Sequence, residues 1–286
     1  MESEALCIPC IIRQCQRIAL LVSPEERVFT ETTKLVLDLI GKLSLKEPPS
    51  LFTSRIIMEV YKLLNTPDPF TKIKEEMQEL GKKSAEMARK IIDASSDPIY
   101  TALKFACAGN IIDIGPQKDF DLKRTLQNLS FARDDYKIFK EKLKGRENLL
   151  YILDNAGEIY FDKILIEKLI TLNLKVKMVV KERPILNDAT LKEAKEAGLF
   201  ALGEVLTTGS GFLGVNFAEA SQDFLSAYEN AEIVIAKGHA NFESLVDQER
   251  DGFFLLKAKC PVVANRLGIE VGASAFYYSP VKFKEE

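Results

Sequence analysis

The stretch "LLYILDNAGEIYFDKIL", residues 149–165, decides the fold. Its first five residues form a continuous apolar run of strand length, and its last eight repeat apolar residues at helical spacing. Asp154, Asn155, Gly157 and Glu158 fill the joint. A short apolar run leading through a polar turn into an amphipathic helix is the opening half of a βαβ unit. Two side chains able to ligate through oxygen sit where the turn must be.

Working outward, the same grammar recurs towards the C-terminus. Apolar runs at 149–153, 175–180, 204–206, 232–236 and 261–264 alternate with amphipathic segments around 158–172, 189–198 and 216–231. Alternation of this kind predicts right-handed crossovers and a mostly parallel sheet covered on both faces. Towards the N-terminus the pattern is helix after helix. "SPEERVFTETTKLVLDLIGKL" carries Ser23 as an N-cap with Pro24 behind it, and "PPS" and "TPDP" punctuate later segments. "SSDPIYTALKFACAGNIIDIG" predicts a further helix that breaks at Gly109. The sequence therefore predicts an α/β protein with a mainly helical N-terminal unit over 1–140 and an α/β metal- and phosphate-binding domain over 141–286.

Composition bounds the function. Of 286 residues, 47% are apolar and 28% charged, enough to bury a sizeable core. A net charge of −3 and a pI near 5.6 give no electrostatic footprint for nucleic acid or an anionic membrane. The start has no basic segment followed by an apolar one, and no apolar run approaches the roughly 18–20 residues needed to span a bilayer, so a cytoplasmic location is predicted. Five cysteines, Cys7, Cys10, Cys15, Cys107 and Cys260, are an odd number and predict reduced thiols rather than a disulfide framework. The pair in "CIPC" supplies only half of a zinc site. Oligomeric state leaves no trace in the sequence.

Ligands of open α/β sheets bind beyond the carboxyl ends of the strands, so the loops there matter most. They read "DNAGE", "KERPILNDAT", "TTGSGFLG" and "KGHANFE". Asp154, Asn155 and Asp188 would bring two carboxylates and an amide oxygen to one edge, a hard donor set suited to Mg²⁺ or Mn²⁺. The competing reading makes them helix caps: Asn155 with Glu158 as a capping box, and Asp188 before the helix at 189–197. "TGSGFLG", with Gly209 and Ser210, offers small residues and free N–H groups for a phosphate. It also matches G-x-G-x-x-G, the dinucleotide fingerprint, but after the third strand rather than the first. Lys237, Lys257 and Lys259 end apolar runs, where an ammonium either meets a phosphate or is merely solvated. His239, the only histidine, reads as a loop residue near the site.

Taken together, "CIPC", "AGNIID" (108–113), "LDNAGE" (153–158), "ILND" (185–188), "KGHANFESL" (237–245) and "LLKAKCPVVA" (255–264) resemble the domain-of-unknown-function-89 proteins, or damage-control phosphatases, in their C-x-x-C-containing branch. The resemblance covers almost the whole chain. It implies a Rossmann-like three-layer α/β/α domain and divalent-metal-dependent phosphatase activity on small, sugar-phosphate-like metabolites, with Mn²⁺, Ni²⁺, Co²⁺ or Mg²⁺ as the cofactor. By the same resemblance Asp154 and Asn155 are the metal-binding pair and Asp188 the third ligand. Lys257, or its neighbour Lys259, contacts the phosphate. Glu158, Lys237, Gly238, Asn241 and Glu243 are further site residues, and Asn110 and Asp113 reach the site from the helical half. Gly238-His239-Ala240 departs from the Gly-Gln-Gly or Gly-Asp-Leu of many relatives. The attacking group is either a metal-activated water or Asp154 itself. The rivals are an NAD(P)-dependent oxidoreductase using Gly209, Gly211 and Gly214, and a non-catalytic metal- or sugar-phosphate-binding module.

Overall fold

The computed structural model describes residues 1–42, 44–112 and 130–281, apart from the side chains of 110–112. Five helices come first: α1 (Cys7–Val22), α2 (Glu26–Ile40), α3 (Pro49–Leu63), α4 (Thr71–Asp93) and α5 (Pro98–Ile112). Then follow β1 (Phe131–Asp134), α6 (Tyr136–Leu143), β2 (Asn148–Ile152), α7 (Ile159–Ile170), β3 (Lys175–Val180), α8 (Leu191–Glu196) and β4 (Val205–Thr207). The chain continues through α9 (Gln222–Asn230), β5 (Ile233–Lys237), α10 (Gly238–Leu245), β6 (Gly252–Lys257), α11 (Pro261–Leu267) and β7 (Ser274–Ser279).

The seven strands form one sheet in the order β1-β7-β6-β5-β2-β3-β4. Every neighbouring pair is parallel except β6 and β7. Central β5 is buried along its whole length and β2 along all but its first residue, as strands covered on both faces must be. On one face α5, α6 and α7 pack through Phe105, Phe139, Phe161 and Leu165. On the other, α9, α10 and α11 pack through Phe224, Phe242 and Val263. The fold is thus α/β in three layers. Among the described residues no helix is long and apolar enough to cross a membrane.

Four predicted strands appear as β2 to β5 within a residue of their expected ends. The fifth does not: residues 261–264 are the first turn of α11. Pro261 takes the first helical position, where its missing N–H costs nothing, and Gly268 at φ +67° ends the helix in the left-handed region. The sheet is completed instead by β1, β6 and β7. The helix expected to break at Gly109 runs on to Ile112; the glycine serves packing instead, since a Cβ there would come within 2.7 Å of Glu158 Cβ. The amphipathic stretch from 216 splits into a short 3₁₀ turn, Phe217–Glu219, and α9, whose start is capped by Ser221 Oγ accepting from Phe224 N–H at 3.2 Å.

A third apolar cluster joins α1, α2 and α3 through Ile11, Ile18, Val36, Phe52 and Ile56, and takes in Ile185 and Leu213 from the loops after β3 and β4. Two bonds fix that contact: Leu186 N–H donates to Tyr61 Oη at 2.9 Å, and Leu213 N–H to the buried Ser54 Oγ at 2.8 Å. The N-terminal helices therefore roof the carboxyl edge of the sheet.

Candidate active site

From β2 the chain steps outward through β3 to β4, then returns to lay β5 against the other side of β2 and continues through β6 to β7. The strand order reverses between β2 and β5. The loops beyond those two strands diverge to opposite faces and leave a crevice, the usual ligand position in such sheets. Asp154 follows β2 and Gly238 follows β5, so both stand at its floor.

Backbone bonds bring the loop after β3 to the same place. Ala156 N–H donates to Asn187 O at 2.9 Å and Ala189 N–H to Asp154 O at 2.8 Å, with Asn155 and Asp188 facing each other in an isolated antiparallel bridge. This zipper gathers Asp154, Asn155 and Asp188, all buried, on one rim. The capping role proposed for Asp188 belongs to Thr190, which forms a full capping box with Glu193 at the start of α8. Only half of the other box forms: Glu158 Oε1 accepts from Asn155 N–H at 3.1 Å, and α7 begins after Glu158 without a side-chain cap.

Asp154 rests directly on Gly238. At φ +78°, a Cβ on residue 238 would fall 1.8 Å from Asp154 Oδ2, so only glycine leaves the carboxylate its place. Asn155 Nδ2 donates to Glu158 Oε1 at 2.6 Å and to Asp154 Oδ2 at 3.1 Å. With the nitrogen held between two carboxylates, the Asn155 amide is fixed in one orientation beside Asp154. Burial pushes the Asp154 carboxyl well above the usual carboxylate range, the neighbouring charges of Asp188 and Glu158 push it further, and Lys259 and Lys181 pull it back. A cation on this rim would relieve that repulsion. Among the described residues no three His, Cys, Asp or Glu side chains gather into a metal cage. Two carboxylates and one amide oxygen match an ion that keeps other positions for water or phosphate oxygens.

The candidate residues fall into two groups. Asp154, Asn155, Asp188, Glu243 and Lys259 line a cavity of about 430 Å³ whose far wall is α1, with Cys7, Cys10, Gln14 and Arg17. His239, on α10, also lines the cavity, its Nε2 accepting from Lys259 N–H at 2.8 Å. Glu158, Lys237 and Asn241 lie beneath the floor, and Gly238 is covered by Asp154. Asn241 Nδ2 donates to Leu153 O at 3.0 Å and Lys237 O at 2.7 Å, tying the ends of β2 and β5 together. Lys237 is fully buried, and its Nζ lies 2.8 Å from both Glu158 Oε2 and Asp162 Oδ1. Lys257 is absent from the cavity wall; its charge is felt by the buried Cys107 thiol. Gly209 packs on Ser221 and Gly214 on Ala240, each where a Cβ would fall 2.3 Å from a backbone atom, and Gly211 lies against Arg183. Neither these glycines nor the buried Ser210 line the cavity. The side chain of Asn110 and the whole of Asp113 lie outside the described residues. Cys7 and Cys260 are half-buried free thiols on the cavity wall, and burial raises the pKa of each.

Lys181 was not foreseen. It follows β3, is buried, donates from Nζ to Gly214 O at 2.6 Å and lies 3.7 Å from Asp188 Oδ2. Burial lowers its ammonium pKa while Asp188 and Asp154 raise it. The available signal was a lysine closing the apolar run "KVKMVVK", the same position that Lys237 holds after "EIVIA".

A family model described as the damage-control phosphatase ARMT1-like domain matches residues 4–275. The chain belongs to this family. It is 36% identical over 281 residues to a damage-control phosphatase of Pyrococcus horikoshii, covering 96% of each chain. It is 32% identical to a damage-control phosphatase of Archaeoglobus fulgidus, covering 95% of this chain and 97% of the relative. Similarity at 32% identity extends to an uncharacterized protein of Methanocaldococcus jannaschii. The crystal structure of a DUF89 family protein from Pyrococcus horikoshii superposes with a TM-score of 0.90 at 35% identity, covering 98% of this chain and 99% of that one. The whole architecture, helical roof and sheet together, is therefore that of the family.

Proposed function

We propose that this protein is a divalent-metal-dependent phosphatase that hydrolyses small phosphorylated metabolites as phosphomonoesters. One observation carries the reading: the oxygen donors Asp154, Asn155 and Asp188 are zipped onto one rim at the sheet's switch point, at the floor of an open cavity. The names of two relatives, damage-control phosphatases, supply the reaction class. Asp154, Asn155 and Asp188 would hold the ion. When bound, such an ion polarises a phosphoryl oxygen and offsets the charge that develops on the leaving oxygen.

The protein's own contribution is positioning and charge balance, which dominate catalysis of phosphoryl transfer. Lys259, on the cavity wall beside Asp154, is placed to neutralise a phosphate. Lys181, behind Asp188, holds that carboxylate and the Gly214 loop in register. Gln14, Arg17 and Thr53 on the roof face the part of the substrate remote from the phosphate. The dinucleotide reading is disfavoured by the glycines of its fingerprint, which serve close packing and do not line the cavity.

The test is phosphate release by metal-stripped protein from a panel of sugar phosphates and other phosphomonoesters, with Mn²⁺, Co²⁺, Ni²⁺ or Mg²⁺ restored one at a time. Turnover that depends on the restored metal and is lost in Asp188→Asn is expected. Inactivity across the panel, alongside measurable ligand binding, would favour a binding module instead.

A further inference from the structure

We infer that Lys237 is a positioning residue for the ligand pair rather than a phosphate contact: it anchors Glu158, which sets the orientation of the Asn155 amide beside Asp154. This rests on the metal-site reading above. The arrangement is an unbroken chain of hydrogen bonds. Tyr151 Oη, on β2, donates to Asp162 Oδ1 at 2.7 Å. Lys237 Nζ donates to the same oxygen and to Glu158 Oε2, each at 2.8 Å. The other oxygen of Glu158 accepts from both nitrogens of Asn155, whose Nδ2 also reaches Asp154 Oδ2.

Two features set this chain apart from an ordinary structural ion pair. Lys237, Glu158 and Asp162 are at most 1% exposed, so no phosphate in the cavity reaches the ammonium. A buried pair of this kind is weak evidence for stability, since apolar replacements of similar volume are often neutral, whereas buried networks do fix geometry. The end of β5 also addresses both ligands from consecutive residues: Lys237 through Glu158 to Asn155, and Gly238 directly against Asp154. Partners of metal ligands that act this way typically cost about 10- to 100-fold in metal affinity when removed.

The test uses the full chain and Mn²⁺ alone, titrated calorimetrically into metal-stripped protein. Lys237→Met combined with Asp162→Asn removes one buried cation and one buried anion together. Lys237→Gln keeps a donor towards Glu158 and serves if the double variant does not fold, as judged by circular dichroism. The double variant is expected to bind Mn²⁺ about 10- to 100-fold more weakly, and Lys237→Gln measurably more weakly. Hydrolysis of p-nitrophenyl phosphate is expected to recover kcat at saturating Mn²⁺, with KM for the ester unchanged. Wild-type Mn²⁺ affinity in a folded variant, or a raised KM that excess metal does not correct, would overturn the inference. Absence of Mn²⁺ binding by the wild-type protein would instead overturn the metal-site reading beneath it.

Discussion

Gly238 is the residue on which the site turns, because Asp154 occupies the volume its side chain would need. Gly238→Ala adds a Cβ in the left-handed region, at a cost of about 1–2 kcal/mol, and displaces the carboxylate. The expected result is a folded protein with metal affinity and turnover reduced by about two orders of magnitude. Near wild-type metal affinity would show that Asp154 is not held as described. Asp154 also sets a pH dependence. Its folded pKa is raised, so the metal-free folded state holds the proton more tightly than the unfolded chain. That contribution to stability is fully present below the ordinary carboxylate pKa of about 3.9, and is lost as pH rises through the folded value. A metal competes with that proton. Mn²⁺ affinity is therefore expected to increase with pH across that window, and the rise in Tm on adding Mn²⁺ to widen. A pH-independent shift in Tm would remove Asp154 from the ligand set. At this scale the sequence was legible where a polar residue followed an apolar strand. Lys237 shows the limit: the same position is occupied by a solvated lysine, a phosphate contact or a buried anchor, and only three-dimensional packing separates them.

Among the elements, α4 lies backbone-close against the turn after β2. A Cβ on Gly81 would fall 2.2 Å from Gly157 O, and one on Gly157 would fall 2.9 Å from Met77 Cβ. In a free helix Gly→Ala stabilises by roughly 1 kcal/mol. Here the sign is expected to reverse: Gly81→Ala should destabilise by about 1–3 kcal/mol, because the backbone of the Asp154 loop must move. Denaturant unfolding checks this, and a stabilised variant would mean that α4 does not bear on that loop. Element reading from sequence worked for β2 to β5, where apolar runs are followed by polar turns. It failed at 261–264, since a four-residue apolar run has no period, and Pro261 with Gly268 marked a helix there. "GFFLLK" went unread as β6 for the same reason, and β7 because Tyr277 and Tyr278 interrupt its alternation.

For the molecule as a whole, the sheet supplies the rim and the N-terminal helices supply the roof. Ile185 and Leu213 leave the strand-end loops to join the roof's core, so the loop carrying Asp188 is held by the roof as well as by the sheet. The α/β class and the meeting of Asp154, Asn155 and Asp188 could be anticipated because topology alone delivers those loops to one edge. The roof's placement could not, since amphipathic spacing in α1 to α3 says that each helix has a buried face without saying what covers it. The central claim is that one divalent ion binds where the β2 and β3 loops are zipped together. Its most direct test is calorimetric titration of Mn²⁺ into metal-stripped wild-type protein and into Asp154→Asn and Asp188→Asn. One ion per wild-type chain, with binding lost in both folded variants, is the predicted result; undiminished binding in either would contradict it.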